Sequence, residues 1–164
     1  MSNSNAQKVI DIDIKKQELS LLQDDICIAC YSISTAKNGV GQINGSECTP
    51  LGLHSIESKI GAGVEENTVF IGRKESGEIF NEKLRKNNPE RDWILTRILW
   101  LTGLEEGKNR GGEVDTMSRY IYIHGCPDQD SFIHPSSHGC IKMRNKDIIK
   151  LFDQVDVGTQ VLIH

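Results

Sequence analysis

The residues of this sequence that could do chemistry cluster in its last third, where a histidine and a cysteine lie sixteen positions apart. His124 closes the alternating segment "YIYIH" and is followed by glycine, and Cys140 closes the segment "SSHGC". A free thiol with a pKa of about 8.5 is only slightly ionised at neutral pH, so a cysteine nucleophile needs a neighbouring base, usually histidine. The pair is consistent with a thiol nucleophile and its imidazole base, although the spacing alone also fits an ordinary buried thiol.

A zinc site is the rival interpretation of this segment, because imidazole and thiolate are the ligands that zinc prefers. The available ligands would be His124, Cys126, His134, His138 and Cys140. Their spacings match no ordered zinc pattern, so a zinc hydrolase is kept only as a remote alternative. A non-catalytic binding module is disfavoured because both His124 and Cys140 are present.

Composition limits the other classes of function. The chain has 164 residues and 37% hydrophobic content, which predicts one domain over residues 1–164. Its net charge of -4 is spread without a basic run, which argues against a nucleic-acid partner. No stretch approaches the roughly 20 apolar residues of a membrane span.

Cysteine usage bears on the cellular compartment. Five cysteines cannot pair completely within one chain, which favours a reducing environment. The first eight residues lack the apolar core of an export signal. We therefore expect a cytoplasmic protein, with the periplasm as the alternative if a leader has been removed.

The pattern of apolar residues predicts a mainly β fold with few short helices. Residues 9–14 alternate isoleucine with polar residues, as a half-buried strand does. The apolar run at residues 26–31, within a strand predicted over 25–34, indicates a strand covered on both faces near the centre of a sheet. Further strands are predicted at 18–22, 53–60, 68–72, 93–101, 119–124 and 160–163.

Other segments are predicted as loops or as helix. Residues 105–115 are charged and glycine-rich, and residues 83–91 are a charge run, so both are expected to be loops. The only clear helix begins near Asn145, which is a plausible N-cap. Cys27 and Cys30 have metal or redox spacing, but strand residues three apart point to opposite faces, which favours a structural role for both.

The order of residues around His124 and Cys140 resembles the catalytic motif of the YkuD-type L,D-transpeptidase family. "YIYIHG" followed by "SSHGCIKM" is similar to the family's strand ending in His-Gly and its Ser-x-Gly-Cys-(Ile/Val)-Arg loop. "TPLGLHSI" at residues 49–56 and "VDVGTQVLI" at residues 155–163 resemble two further family segments. His54 replaces the family's usual aromatic residue and is expected to face solvent or a neighbour. The resemblance implies a YkuD-like β-sandwich or mixed-sheet domain, with its site in a groove at the edge of the sheet.

The resemblance also implies roles for individual residues. Cys140 would be the nucleophile, His124 its base, and the carbonyl of Gly125 would orient the imidazole. The oxyanion hole would be formed by backbone N–H groups around Gly139 and Cys140. Substrate-binding roles fall on His138, Ser137, Lys142 and Arg144. Lys142 stands where the family has arginine, and a lysine does not reproduce the bidentate geometry of a guanidinium.

The implied substrate is a peptidoglycan stem tetrapeptide or muropeptide. The bond cleaved would join the L-centre of a diamino acid to the terminal D-Ala, through a thioester on the cysteine. No metal or organic cofactor is implied, and carbapenem-type inhibitors should acylate the thiol. Since the expected compartment is cytoplasmic, we expect water as the acceptor, which would make the enzyme an L,D-carboxypeptidase of murein recycling. The alternative is a cross-linking L,D-transpeptidase of the periplasm or cell wall.

Overall fold

A computed structural model describes residues 7–164, and its architecture is one ten-stranded sheet that closes on itself. The strands are β1 (Lys8–Asp13), β2 (Glu18–Gln23), β3 (Ile26–Ser34), β4 (Gly52–Ile60), β5 (Thr68–Ile71), β6 (Lys74–Ile79), β7 (Ile94–Gly103), β8 (Tyr122–Cys126), β9 (Ile141–Arg144) and β10 (Gln160–Ile163). The helices are α1 (Glu82–Asn87) and α2 (Asn145–Gln154), with a 3-10 turn at Gly112–Val114. The predicted mainly β fold class is confirmed. No helix in this part of the chain has the length and apolarity that crossing a membrane would require.

The sheet closes because β4 pairs with strands on both sides. Eight strands follow the order β4-β10-β1-β2-β3-β9-β8-β7, and an additional pairing of β4 with β7 completes the ring. The β5–β6 hairpin is attached to the first half of β7. The pairs β1–β10 and β8–β9 are parallel, and the other pairs are antiparallel. The observed architecture is therefore a mixed, closed sheet.

The hydrophobic core is formed by alternate residues of the ring strands. Ile10 and Ile12 of β1 and Leu19 and Leu21 of β2 have no exposed surface, as the period of two requires. Helix α2 packs on β7, β8 and β9, and it contributes the apolar side chains Ile148, Leu151 and Phe152 to the same core.

The expectation for β3 is wrong in one respect. This strand lies inside the sheet order, but Ile26 is 68% exposed and Ile28 is 44% exposed. The reason is that β9 pairs only with Ile33 and Ser34 at the end of β3, so that the apolar run extends past its neighbour on that side.

A β-bulge also corrects the expectation for the two cysteines of β3. Cys27 lies opposite Leu22 and Cys30 lies opposite Ser20, with the register shift between them. Since Ser20 and Leu22 are two apart on β2, they share a face, and the two cysteines opposite them share it too. Both thiols are free and exposed, so they do not have the buried structural role predicted from the sequence.

Two other predictions need correction. Part of the expected loop 83–91 belongs to α1, whose N-cap Asn81 accepts a hydrogen bond from the N–H of Leu84 at 2.8 Å. Helix α1 buries no residue, so its sequence lacks the apolar periodicity from which helices are predicted. The strand predicted at 119–124 is observed at Tyr122–Cys126, and His124 therefore lies in its middle. Because β8 lies between β7 and β9, this histidine is not at an edge of the sheet.

Candidate active site

Parallel pairing of β8 with β9 brings the histidine and the cysteine to the same place. Ile123 pairs with Ile141 and His124 with Lys142, which places Cys140 level with Tyr122. The backbone N–H of Tyr122 donates to Sγ of Cys140 at 3.4 Å. Tyr122 and His124 are two apart on the strand and share a face, so the thiol and the imidazole are neighbours on that face.

The hydrogen bond of His124 determines its tautomer. Nδ1 of His124 lies 2.6 Å from the carbonyl oxygen of Gly125. A carbonyl oxygen can only accept, so Nδ1 carries the proton and Nε2 has a free lone pair. The ring is almost fully buried, and burial lowers its pKa below 6.5, while Asp92 and the Gly125 carbonyl oppose that shift. A neutral imidazole in this tautomer can accept a proton at Nε2.

The thiol of Cys140 is held in its neutral form. Burial raises its pKa to about 12, and the N–H of Tyr122 and the guanidinium of Arg119 offset this only partly. Sγ also lies 3.4 Å from the carbonyl oxygen of Tyr120, which can accept the S–H proton. The resting site therefore contains a neutral thiol beside a neutral imidazole, and the thiol would have to lose its proton in order to act as a nucleophile.

Side-chain hydrogen bonds hold the loop before Cys140 in place. The hydroxyl of Ser137 donates to the carbonyl oxygen of Cys140 at 2.5 Å and accepts from the N–H of Gly139 at 3.2 Å. Thr49 donates from Oγ1 to the carbonyl oxygen of Gly139 at 2.9 Å. Gly139 has φ +129, and a Cβ there would lie 3.2 Å from the carbonyl oxygen of Cys48, so glycine is required on two grounds.

A cavity of about 530 Å³ opens in front of the thiol. It is lined by Gly72, Arg73, Asp92, Ile94, Arg119, Tyr120, Tyr122, His138 and Cys140. The two arginines and one aspartate in its lining give the cavity a net positive charge. This is the space in which a substrate would meet the nucleophile.

The residues expected to bind substrate fall into different places. His138 is exposed and lines the cavity with Cys140. Ser137 is buried and fastens the loop. Lys142 points elsewhere, with Nζ 3.1 Å from Oδ2 of Asp130, in a separate cavity of about 410 Å³. Arg144 is exposed and lies over the ring of Phe132 at 4.5 Å.

The ligands of the zinc alternative do not converge. Across residues 7–164, no three histidine, cysteine or acidic side chains are close enough together to hold a metal ion. Cys126 is buried in β8, its thiol donates to the carbonyl oxygen of Met143 at 3.3 Å, and burial raises its pKa to about 12. His134 lines the cavity of Lys142 and not that of Cys140.

Several residues of the cavity were missed by sequence reasoning. Tyr122 could have been found, because it precedes His124 by two positions in a predicted strand and so shares its face. Arg119 also lies close to the motif. It donates to Ser46 Oγ and to the carbonyl oxygens of Gly41, Gln42 and Cys48. Arg73 and Asp92 lie far from the motif in sequence, and no local pattern marks them.

Comparison with known proteins agrees with the family resemblance seen in the sequence. The family model of the YkuD L,D-transpeptidase catalytic domain matches residues 7–163. YqjB of Bacillus subtilis (strain 168), whose name places it among candidate L,D-transpeptidases, is 26% identical over 152 residues, which are 93% of this chain and 68% of YqjB.

Solved structures share the fold. An L,D-transpeptidase from Mycobacterium smegmatis superposes with a TM-score of 0.60 at 16% identity, over 97% of this chain and 59% of that one. L,D-transpeptidase 3 from Mycobacterium tuberculosis, solved with a faropenem-derived adduct, gives 0.58 at 15% identity, over 97% and 60%. The present chain thus spans about three-fifths of the length of these solved chains.

Proposed function

Because the chain belongs to the YkuD family of L,D-transpeptidase catalytic domains, we propose that it is a cysteine acyl-transfer enzyme acting on peptidoglycan stem tetrapeptides. The observation that carries the proposal is the hydrogen bond from Nδ1 of His124 to the carbonyl oxygen of Gly125, on the strand beside Cys140. This bond leaves Nε2 of a neutral histidine available as the base that a neutral thiol requires.

The proposed reaction has two steps. Sγ of Cys140 attacks the carbonyl carbon at the L-centre of the diamino acid while its proton passes to Nε2 of His124. The C–N bond then breaks, the D-Ala amine leaves with that proton, and the tripeptide remains as a thioester. An acceptor that loses a proton to His124 resolves the thioester and regenerates the thiol.

The oxyanion of the tetrahedral intermediate would be stabilised by backbone N–H groups at Gly139 and Cys140. In the resting structure the N–H of Gly139 donates to the hydroxyl of Ser137 at 3.2 Å. That bond is long enough to be exchanged for a shorter one to a charged oxygen. Ser137 keeps its stronger contact with the carbonyl oxygen of Cys140, and so continues to hold the loop.

We propose water as the preferred acceptor and the cytoplasm as the compartment, which would make the enzyme an L,D-carboxypeptidase of murein recycling. The support is the state of the cysteines, since all five are free and two of them, Cys27 and Cys30, are exposed. Exposed free thiols persist in reducing compartments. In the cytoplasm, soluble tetrapeptide returned from wall turnover would be available as substrate.

The test is made with purified protein and disaccharide-tetrapeptide in water enriched in oxygen-18, with Cys140→Ala as the control. A carboxypeptidase releases D-Ala and yields tripeptide with one labelled oxygen, and adding a D-amino acid or a second stem changes little. Products that join the tripeptide to the added amine, formed in preference to the hydrolysed tripeptide, would assign the chain to cross-linking. Absence of D-Ala release would contradict the proposal that the tetrapeptide is the substrate.

Location is tested in cells by fractionation and by muropeptide profiles of a deletion strain. Accumulation of cytosolic tetrapeptide species with unchanged wall cross-links would support recycling. Loss of 3-3 cross-links, together with protein found outside the cytoplasm, would support the alternative of a cross-linking L,D-transpeptidase.

A further inference from the structure

The turn of the β5–β6 hairpin brings Arg73 into the cavity of the nucleophile. Ile71 pairs with Lys74, so Gly72 and Arg73 are the two turn residues, with φ +55 and +64. Both values belong to the left-handed region, where glycine or asparagine is usual at the second position. Arg73 therefore takes a conformation that is unfavourable for a residue other than glycine, and its side chain lines the cavity.

The guanidinium of Arg73 is held in a fixed plane by three aromatic residues. Its Cζ lies 4.3 Å from the ring centre of Trp100 and 5.1 Å from that of Tyr120. One Nη donates to the hydroxyl of Tyr122 at 3.0 Å. Stacking and one hydrogen bond fix the orientation of a group that carries five N–H donors.

Arg73 has more N–H donors to spare than Arg119, since one of its five is used, against four of the five of Arg119. Arg119 donates to four protein oxygens and so is committed to holding the loop of residues 41–48. For Arg73, the hydroxyl of Tyr122 is the one hydrogen-bond acceptor within residues 7–164, and no carboxylate of that range lies within ion-pair distance. Its remaining N–H groups are therefore available to a ligand in the cavity.

Tyr122 connects this guanidinium to the nucleophile. Its backbone N–H donates to Sγ of Cys140, and its hydroxyl accepts from Arg73. The thiol and the guanidinium thus lie at the two ends of one tyrosine and face the same cavity. In a peptide whose last bond is cleaved, only a few covalent bonds separate the attacked carbonyl carbon from the terminal carboxylate. Because the thiol attacks that carbonyl carbon, a residue that binds the carboxylate must lie near the thiol.

We propose that Arg73 binds the C-terminal carboxylate of the substrate and thereby restricts the enzyme to the last residue of a peptide. This rests on the proposed function, since it assumes that Cys140 attacks the bond before a terminal D-Ala. A carboxylate matches the planar fork of a guanidinium through two parallel hydrogen bonds. Asp92 lines the same cavity and would repel a carboxylate placed beside it.

The experiment compares two substrates, the tetrapeptide with a free C-terminal carboxylate and the same tetrapeptide ending in D-alaninamide. We expect wild-type kcat/KM to be about tenfold or more higher for the acid, as loss of a charge-assisted bidentate contact would produce. Arg73→Gln should lower kcat/KM for the acid to near that for the amide, while the rate on the amide changes little. Arg73→Lys should retain part of the preference. Lys74→Gln, which removes an exposed charge from the same hairpin, should retain all of it.

The outcomes separate this inference from the function on which it rests. A wild-type enzyme that cleaves acid and amide equally well would overturn the role of Arg73 and leave the proposed function intact. The role is also overturned if Arg73→Gln slows both substrates equally and keeps the preference for the acid, because that pattern indicates a structural effect. A wild-type enzyme that cleaves neither substrate would overturn the proposed function and this inference together.

Discussion

The side-chain amide of Asn145 lies directly against Gly125, the residue whose carbonyl oxygen accepts the hydrogen bond of His124. A Cβ at Gly125 would stand 2.5 Å from Oδ1 of Asn145 and 2.6 Å from the carbonyl oxygen of Leu95. Asn145 is fully buried and is held by the hydroxyl of Thr96, which donates to Oδ1 at 2.6 Å. The first residue of α2 thus supports the strand that orients the base.

Gly125→Ala should therefore damage both stability and activity. The added methyl group must displace the backbone of β8 or the amide of Asn145, at a cost of about 1–3 kcal/mol in the free energy of unfolding. Displacement of the Gly125 carbonyl should also lower kcat, since it orients His124. Urea unfolding and turnover measured on the folded fraction check both effects. Wild-type turnover by a destabilised variant would show that the carbonyl is not needed to orient the ring.

Cys140→Ala should reduce turnover about a thousandfold or more while the fold is kept, because the thiol forms the covalent intermediate of the proposed reaction. The matched control is Cys30→Ala, which removes an exposed thiol and should change the free energy of unfolding by no more than about 0.5 kcal/mol. D-Ala release and thermal unfolding of both variants provide the measurement. Equal loss of activity in the two variants would mean that the nucleophile is misassigned.

Acylation of Cys140 by a penem or carbapenem is the third prediction. A solved relative of the same fold, L,D-transpeptidase 3 from Mycobacterium tuberculosis, holds a faropenem-derived adduct. Intact mass with and without faropenem or a carbapenem should show one adduct per chain, and peptide mapping should place it on Cys140. An adduct on Cys27 or Cys30, with none on Cys140, would contradict the proposed reactivity of the site.

The pH dependence of thiol reactivity tests the protonation state of the resting site. Burial raises the pKa of Cys140 to about 12, so the thiolate fraction should rise about tenfold per pH unit below that value. The rate of alkylation of Cys140 by iodoacetamide should accordingly increase from pH 7 to pH 10 without levelling off. A plateau near neutral pH would instead show a preformed pair of thiolate and imidazolium.

His54 should make the fold sensitive to acid. It has no exposed surface, Nδ1 lies 2.9 Å from the carbonyl oxygen of Gly52, and Nε2 lies 2.9 Å from Oγ1 of Thr116. Burial lowers its pKa from 6.5 to about 4, so the unfolded chain binds a proton that the folded chain does not. The contribution of His54 to stability is complete above pH 6.5 and declines as the pH falls towards 4, by about 3 kcal/mol at most.

The measurement is urea unfolding of wild type and His54→Gln at pH 7, 5.5 and 4.5. The variant should lose less stability on acidification, because glutamine does not titrate. The exposed His134→Gln serves as the control and should follow the wild type. Parallel curves for wild type and His54→Gln would contradict the prediction.

Much of the fold could be predicted because alternation of apolar residues is a local signal. β1 and β2 were predicted within a residue of their observed ends, and β10 was predicted with its observed bounds. β6, β9 and α1 were not predicted. β6 and α1 bury no side chain, so neither has the apolar periodicity from which strands and helices are predicted. The apolar run of β3 misled because burial depends on how far the neighbouring strand extends, which the segment itself does not encode.

The candidate site also has one part that the sequence predicted and another part that it did not. The types and order of residues around His124 and Cys140 were sufficient for the family resemblance, and neighbouring strand positions place them together. Lys142 belongs to the same motif, but its side chain forms an ion pair with Asp130. Its direction depends on a partner twelve positions away, and the motif does not specify that partner.

By itself the sequence determined the family and the mainly β fold, and it indicated His124 and Cys140 as the candidate pair, because these inferences depend on residue type, residue order and short-range periodicity. Only the tertiary structure decided which side chains surround the thiol. Arg73 and Asp92 reach the cavity because β5 and β7 pair, and Arg119 because its loop folds back across residues 41–48. Such contacts join segments far apart in the chain, and closure of the whole sheet is required before any of them exists.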